Sequence, residues 1–172
     1  DGHGASALLG APSPTFKATV TSYFACEHPP TKEAMLVLDG EGTGPVNHMA
    51  VMSAVSSSYA PEGKHLVSVS GFEAAAADPD AFRVEAPRQL RRWFGESVDL
   101  WTHLRTYSIP HALPRHPAGS IPAQGTRRRA DGVIVAGDYT EFGSIQGALR
   151  SGRRAAELVL ARLATPSTTT AP

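Results

Sequence analysis

Hydrophobic and polar residues alternate along the first part of the chain in the manner of short strands. Residues 16–24 alternate between a mainly apolar and a mainly polar series, and this period of two marks a half-buried strand. Further apolar runs occupy residues 34–38, 46–53 and 65–71, and turns rich in Gly and Pro separate them. Strands divided by such turns predict an antiparallel sheet.

After residue 71 the pattern becomes helical. Residues 78–95 predict a helix with an apolar face, which Pro87 either kinks or divides. Residues 98–109 predict a fifth strand. A proline-rich stretch follows, and we expect an irregular crossing segment there; its prolines are Pro110, Pro114, Pro117 and Pro122.

The last part of the pattern joins a strand to a long helix. Residues 133–136 are apolar without alternation, as expected for a strand covered on both faces. Apolar residues then recur at helical spacing, with arginines mainly on the opposite side. We expect this apolar face to be buried; its members are Ile145, Ala148, Leu149, Gly152, Ala156, Val159, Leu160 and Leu163.

The junction between this strand and helix carries candidate chemistry. Gly137 and Asp138 follow the strand at its carboxyl end, where open α/β sheets place their ligands. Ser144 is a candidate N-cap, and Gly147 lies in the first turn, where unpaired amides point outward. Gly152, on the predicted buried face, indicates close approach of a neighbouring backbone. The same features suit a strand–helix unit that binds no ligand equally well. The residues alone therefore do not decide between a ligand site and a plain packing unit.

Composition narrows the classes of partner. The chain has 172 residues, about one domain, with 16 basic and 16 acidic residues. A net charge of zero, without a basic and aromatic stripe, argues against a nucleic-acid partner. No stretch is apolar enough to predict a transmembrane segment. The single cysteine excludes an internal disulfide framework and fits a reducing compartment, so we predict a cytoplasmic protein.

Histidine and serine are the other residue types that could supply metal ligands or a nucleophile. The seven histidines are scattered without zinc-like spacing, so no metal site is predicted; His111, between two prolines, is the most interesting of them. Ser144 is not the nucleophile of a Gly-x-Ser-x-Gly hydrolase motif, because the preceding glycine directly abuts it. No catalytic residue is predicted.

The stretch "VIVAGDYTEFGSIQGALRSGRRAAELVL" resembles the C-terminal flavin-binding signature of the flavin-containing amine oxidase superfamily, which includes phytoene desaturase-like and protoporphyrinogen oxidase-like enzymes. Two weaker stretches agree: "GPVNHMAVMSAVSSSYAPEGKHLVSVS" resembles substrate-domain strands, and "LRTYSIPHALPRHPAG" resembles the segment that leads back to the flavin. Together these similarities cover most of residues 44–163.

The resemblance implies specific cofactor contacts. Gly137 and Asp138 would contact the pyrophosphate and ribityl chain of FAD. The start of the helix would face the isoalloxazine ring, through Ser144, Ile145, Gln146, Gly147 and Ala148. Gln146 departs from the pattern, since desaturase-like members often carry Met-Glu before the glycine. This departure leaves the subgroup open.

The family's N-terminal dinucleotide motif has no counterpart here. Residues 2–7 fit a loose form of Gly-x-Gly-x-x-Gly, but no strand precedes them; residues 40–44 fail because Pro45 and a strand follow. We therefore expect the chain to be the C-terminal half of a longer enzyme or a truncated product.

The predicted fold is mixed α+β: an antiparallel substrate-domain sheet with a helix, plus the final strand and helix of a Rossmann-like FAD-binding domain. The predicted function is that of an FAD-dependent oxidoreductase that oxidises a C–N or C–C bond of a small or lipophilic substrate, although the chain alone is expected to be inactive. The alternative is a non-catalytic fragment or a small partner-binding protein. The predicted segments are residues 1–15 as a loop or cut edge, 16–125 as substrate domain, 126–163 as FAD-binding domain and 164–172 as a disordered tail.

Overall fold

A computed structural model describes residues 1–119 and 125–164. The chain divides into two compact units: a terminal unit, from Asp1–Phe16 and Leu113–Pro172, and a sheet unit, Lys17–Ala112. The helices and strands follow in the order α1 (Gly2–Leu9), β1 (Phe16–Cys26), β2 (Leu36–Leu38), β3 (His48–Val51), α2 (Met52–Val55), β4 (His65–Phe72), α3 (Ala74–Ala77), α4 (Pro79–Phe94), β5 (Thr102–Pro114), β6 (Arg127–Arg128), β7 (Ile134–Val135) and α5 (Ile145–Ala164).

The sheet unit is built on a five-stranded sheet in the order β2-β3-β4-β1-β5. The pairs β1·β4, β2·β3 and β3·β4 are antiparallel. The prediction of a mixed α+β fold with an antiparallel sheet is therefore confirmed. Short 3₁₀ turns at Ser57–Tyr59 and Gly95–Leu100 complete the unit.

One face of this sheet and one face of α4 form the core. From α4, Phe82, Ala86 and Leu90 are buried. They belong to the same buried cluster as apolar strand residues such as Val20 and Met49. The strand residues alternate with less buried neighbours, so the period-two pattern places one side of each strand in this core.

A buried glutamine extends the core contact to the chain before β3. Gln89 of α4 accepts from the Val46 amide at 2.8 Å and donates to the Val46 carbonyl at 3.1 Å. Both backbone groups of Val46 are thereby paired in a buried setting, which removes the cost of leaving them unsatisfied. The pattern of apolar residues gave no sign of this role, since Gln89 is polar.

Several element boundaries differ from the predictions. α4 continues through Pro87 as one helix, so Pro87 does not divide it. The third strand ends at Val51, where α2 begins. The predicted fifth strand starts late, after the 3₁₀ turn, and continues through Pro110 to Pro114, where an irregular segment was expected. An edge strand tolerates proline, and β5 lies at the sheet edge.

The predicted loop at the N-terminus is instead a helix. In α1 the Asp1 carboxylate accepts from the Gly4 amide at 2.7 Å, and Gly10 ends the helix at a φ of 58°. Gly2 lies against Tyr139 and Pro14. The Gly- and Ala-rich composition suggested a loop, but capping at both ends supports a helix.

In the terminal unit, β6 and β7 form a short antiparallel ladder, with Arg127 opposite Val135. β7 contains two residues, and both are half-buried. Because both residues are only half-buried, the expected full burial of this strand is not found among the described residues.

Of the predicted tail, Ala164 is the last residue of α5, and the rest lies outside the described residues, as does Pro122.

Across the part of the chain that the structure describes, no helix has both the length and the apolar content needed to cross a bilayer.

Candidate functional site

The loop after β7 has a backbone that only glycine adopts readily. Gly137 has a φ of 151°, and a Cβ there would lie 2.5 Å from Cε1 of Tyr139. Asp138 then opens the 3₁₀ turn Asp138–Thr140, and its Oδ1 accepts from the Tyr139 amide at 2.9 Å. Burial raises the pKa of Tyr139, and the neighbouring Asp138 raises it further. The backbone of the turn therefore fixes one oxygen of the Asp138 carboxylate.

Ser151 of α5 ties this loop to the helix. Its side chain is fully buried, and its hydroxyl accepts from the Gly137 amide at 2.8 Å. The same hydroxyl lies 3.1 Å from the hydroxyl of Thr140, and the Thr126 hydroxyl donates to the Ser151 carbonyl at 3.2 Å. One serine thus fixes Gly137, and with it Asp138, against the helix. In the sequence, Ser151 is only one residue of the quoted flavin-binding stretch. Nothing singles it out there, since a serine inside a helix usually faces solvent.

A second anchor is the carboxylate of Glu141. It is buried and forms ion pairs with two arginines of α5, Arg154 and Arg150, the latter at 3.5 Å. The Thr126 amide also approaches the same carboxylate, at 3.5 Å. Ion pairs and hydrogen bonds of this kind offset the cost of burying a carboxylate. The sequence pattern places these arginines opposite the apolar side of the helix and does not indicate this role.

The first turn of α5 is capped as predicted. The Ser144 hydroxyl accepts from the Gly147 amide at 2.9 Å, which confirms Ser144 as the N-cap. A Cβ at Gly147 would lie 2.0 Å from the Phe142 carbonyl oxygen. The chain's own backbone therefore requires a glycine at this position.

The outer side of that first turn is open. Ile145 is 77% exposed, and the neighbouring Gln146 and Ala148 are also exposed. The positive end of a helix dipole favours contact with anionic or acceptor groups. The predicted site residues thus form one continuous piece of structure: Gly137 and Asp138 on the turn, and Ser144, Ile145, Gln146, Gly147 and Ala148 on the helix start.

The long apolar face of α5 is not buried in this chain. Leu149 is 69% exposed and Leu160 64% exposed, whereas the buried residues of the helix are Gly147 and Ser151. The expected burial of the apolar face is therefore wrong for the described residues. Gly152 meets nothing within 4 Å, so the expected close backbone is absent there. Gly147 and Ser151 are small residues. They let α5 pack against the rest of the terminal unit on the side that carries them, rather than on its apolar face.

The sheet unit presents a second surface of interest, the strand face that alternates with the core residues. Tyr23 and Tyr107 meet edge to face with ring centroids 6.0 Å apart, and the Arg105 guanidinium lies over Tyr107. Thr21 and Ser70 are joined by their hydroxyls at 2.8 Å. This face therefore offers aromatic and hydroxyl groups rather than a packed apolar layer.

His48 and His111 both lie in strands of the sheet unit. The rings of His48 and Phe72 contact each other at a tilt of 53°, with centroids 5.6 Å apart, and burial lowers the pKa of His48. His111, singled out from the sequence, is half-buried in β5. Within residues 1–119 and 125–164, no three His, Cys, Asp or Glu side chains are grouped as a metal ion would require.

Comparison with known proteins gives a consistent result. The model of the family described as flavin containing amine oxidoreductase matches residues 11–160, which is most of the chain. No curated protein matches it significantly.

Two solved structures share the fold. An oxidoreductase from Methanosarcina mazei has a TM-score of 0.66 at 17% identity, with 84% of this chain and 35% of that chain covered. A protein from Pyrococcus furiosus has a TM-score of 0.51 at 16% identity, with 94% and 36% covered. The chain therefore spans about a third of the length of the solved structures that it resembles.

Proposed function

This chain belongs to the flavin containing amine oxidoreductase family, and on that premise we propose that it is the C-terminal part of an FAD-dependent oxidoreductase. The reaction is the oxidation of a C–N or C–C bond in a small or lipophilic substrate. FAD, when bound, supplies the hydride acceptor, and the protein supplies orientation and exclusion of water.

The observation that carries the proposal is the junction that the family match covers. Ser151 fixes the Gly137 amide at 2.8 Å, so the Asp138 turn and the start of α5 are held together. Amides at the helix start stabilise negative charge, and a carboxylate accepts from hydroxyl groups. Asp138 would then bind the ribityl chain of FAD. Ser144, Ile145, Gln146, Gly147 and Ala148 would face its isoalloxazine ring.

The exposed face of α5 supports the view that more protein completes the cofactor site. A helix of a Rossmann-like domain buries its apolar side against a sheet. In this chain that side is exposed at Ile145, Leu149 and Leu160. We assign it to packing against the N-terminal FAD-binding half expected in a longer parent protein.

The sheet unit would provide a substrate wall. Its face with Tyr23, Tyr107 and Arg105 offers aromatic surface and one cation, held in fixed positions by the Tyr23–Tyr107 contact. Aromatic rings with few polar groups suit an apolar or aromatic small molecule. These residues would position a substrate and leave the redox step to the cofactor.

The first test concerns FAD retention. The 172-residue chain is mixed with FAD and passed over a desalting column, and the flavin absorbance of the protein fraction is measured. We expect little or no flavin to remain. Stoichiometric retention would contradict the need for the remaining half.

The second test uses a longer protein that contains this chain. Asp138→Ala should weaken FAD binding by about tenfold or more, equivalent to ~1.4 kcal/mol. Glu157→Gln is the matched control, because Glu157 is an exposed acidic residue of the same unit. Equal FAD affinity of the Asp138 variant and the control would remove Asp138 from the site.

A further inference from the structure

A cavity of about 340 Å³ lies entirely within the terminal unit. Residues from α1, the segment after it, β6, β7 and the turn Asp138–Thr140 line it, and its apolar wall consists of Leu9, Ala11, Pro12, Pro14 and Val135. Ligand cavities in proteins usually measure ~300–1,000 Å³ and combine apolar walls with few polar groups. This cavity is at the lower end of that range, so it suits a compact small molecule.

The short ladder of β6 and β7 determines which arginines reach this cavity. Arg127 and Arg129 both line it, whereas Arg128 between them does not. Alternate residues of an extended chain lie on the same side, so this selection follows from the strand. Arg127 is also paired across the ladder with Val135, and directly opposite residues share a face. One face of the ladder therefore brings a cation and part of the apolar wall together.

The two arginines differ in whether a carboxylate balances their charge. Arg129 Nε donates to Asp131 Oδ2 at 3.1 Å. Hydrogen bonds from the Val133 amide and from Arg129 lower the pKa of Asp131, so this carboxylate stays ionised beside Arg129. Arg127 is exposed and forms no ion pair within residues 1–119 and 125–164, and no acidic residue of these ranges lines the cavity. The lining therefore carries one unbalanced positive charge.

The hydroxyl groups of the lining are not available as donors to a ligand. The serine and threonine hydroxyls already donate to backbone carbonyls of the same unit: Ser6 to Pro12, Ser13 to Pro14 and Thr140 to Gly137. The Tyr139 hydroxyl is buried away from the open space, so a ligand cannot reach it. The guanidinium of Arg127 has five N–H donors in a planar fork. Recognition of a polar ligand group therefore falls to Arg127.

We propose that this cavity binds a compact ring compound with a single carboxylate, which pairs with the Arg127 guanidinium while the ring lies against the apolar wall. A carboxylate is preferred because its two oxygens match the guanidinium fork. A single negative charge is preferred because one positive charge is unbalanced, and an ammonium group would be repelled. None of the residues assigned to FAD lines this cavity, so the proposal does not depend on flavin binding.

The test compares benzoate with benzamide, two ring compounds of the same shape that differ in the charge of the polar group. The ¹⁵N-labelled chain is titrated with each compound at neutral pH, and the Nε–H resonance of Arg127 is assigned by its loss in Arg127→Gln. We expect benzoate to shift this resonance and the Val135 amide saturably. Benzamide should bind at least about tenfold more weakly, because a neutral amide cannot pair with the guanidinium charge.

Two variants on the same strand sharpen the outcome. Arg127→Gln should bind benzoate and benzamide with nearly equal affinity, whereas Arg128→Gln, the matched control outside the lining, should keep the preference for benzoate. Equal loss of the preference in both variants would indicate general attraction to a basic strand and would overturn the proposal.

Two results on the unaltered chain would also overturn it: equal affinity for the two compounds, or no shift of the Arg127 resonance at millimolar benzoate. Because these results need no variant beyond the assignment of one resonance, and the Val135 amide reports on the same cavity, a variant that fails to fold does not obscure them.

Discussion

The two long helices of the chain treat their apolar faces in opposite ways. α4 buries Phe82, Ala86 and Leu90 in the core of the sheet unit, where each is at most 1% exposed. α5 is longer and also amphipathic, yet it buries Gly147 and Ser151 and leaves Leu149 and Leu160 exposed. One helix completes a core within this chain, and the other contacts its unit through small and polar groups.

The difference shows that an amphipathic pattern predicts a helix. It does not predict which part of a protein buries the apolar face of that helix. The apolar burial of α4 yields stabilisation in proportion to area, ~25 cal/mol per Å². α5 gains instead from hydrogen bonds of Ser151 and ion pairs of Glu141.

The largest effect should come from leucines on the two helices. Leu90→Ala creates a cavity in the core and should lower the free energy of unfolding by about 2–5 kcal/mol. Leu160→Ala on α5 should change it by less than about 0.5 kcal/mol, because the side chain is already exposed. Urea unfolding followed by circular dichroism measures both. Similar losses of unfolding free energy in the two variants would contradict the difference between α4 and α5.

Two glycines of α5 should respond with opposite signs. Gly147→Ala places a Cβ 2.0 Å from the Phe142 carbonyl oxygen and should destabilise by about 1–3 kcal/mol. Gly152→Ala meets nothing within 4 Å and should stabilise by up to about 1 kcal/mol, because alanine is the better helix former. Thermal unfolding of both variants gives the signs directly. A stable Gly147 variant would mean that the helix start is not held as described.

The buried serine of α5 should matter through its hydrogen bonds. Ser151→Ala leaves the Gly137 amide without its acceptor and should cost about 1–2 kcal/mol. Amide hydrogen exchange at Gly137 should accelerate at the same time. The control is Ser108→Ala, which removes a single weaker bond of 3.3 Å from the sheet unit. Unchanged exchange at Gly137 would show that Ser151 does not hold the turn.

The smallest effect is a pH dependence confined to the sheet unit. Burial lowers the pKa of His48 below its ordinary value of 6.5, so the neutral form is favoured on folding. The corresponding stability is present above that value and is lost as the pH falls through the lower pKa of the folded state. Since His48 is partly screened by solvent, we expect less than about 1 kcal/mol between pH 7.5 and 5.5.

His48→Gln should therefore reduce the loss of stability in urea unfolding at pH 5.5. A similar group, His103, has its pKa lowered by burial and by Arg83, so some pH dependence should remain. The exposed His116→Gln is the control in the terminal unit. An identical pH profile of the His48 variant and the parent chain would contradict the assignment.

The sheet strands and both long helices follow from local patterns that sequence reasoning detects. Their periodicity is strong, and Ser144 as the N-cap is a local feature of the chain. What escaped prediction depends on distant partners. Gln89 pairs with Val46 across 43 positions, and Ser151 accepts from Gly137.

The candidate site divides in the same way. Gly137, Asp138 and the start of α5 came from the motif, whereas the anchors Ser151 and Glu141 came from the structure. Burial of the α5 face was predicted from amphipathicity, yet it requires a neighbour that periodicity cannot supply. The helix α1 was missed because its capping by Asp1 and Gly10 outweighs a composition typical of loops.

The most direct test of the account is a titration of the ¹⁵N-labelled chain with FAD, followed by amide resonances. We expect weak binding whose shifts are concentrated at Gly137, Asp138 and the first turn of α5, and which Asp138→Ala reduces. Two results would contradict the claim that the Gly137–Asp138 turn and the start of α5 bind the flavin. One is shifts scattered over both units, and the other is no shift at these residues under saturating FAD.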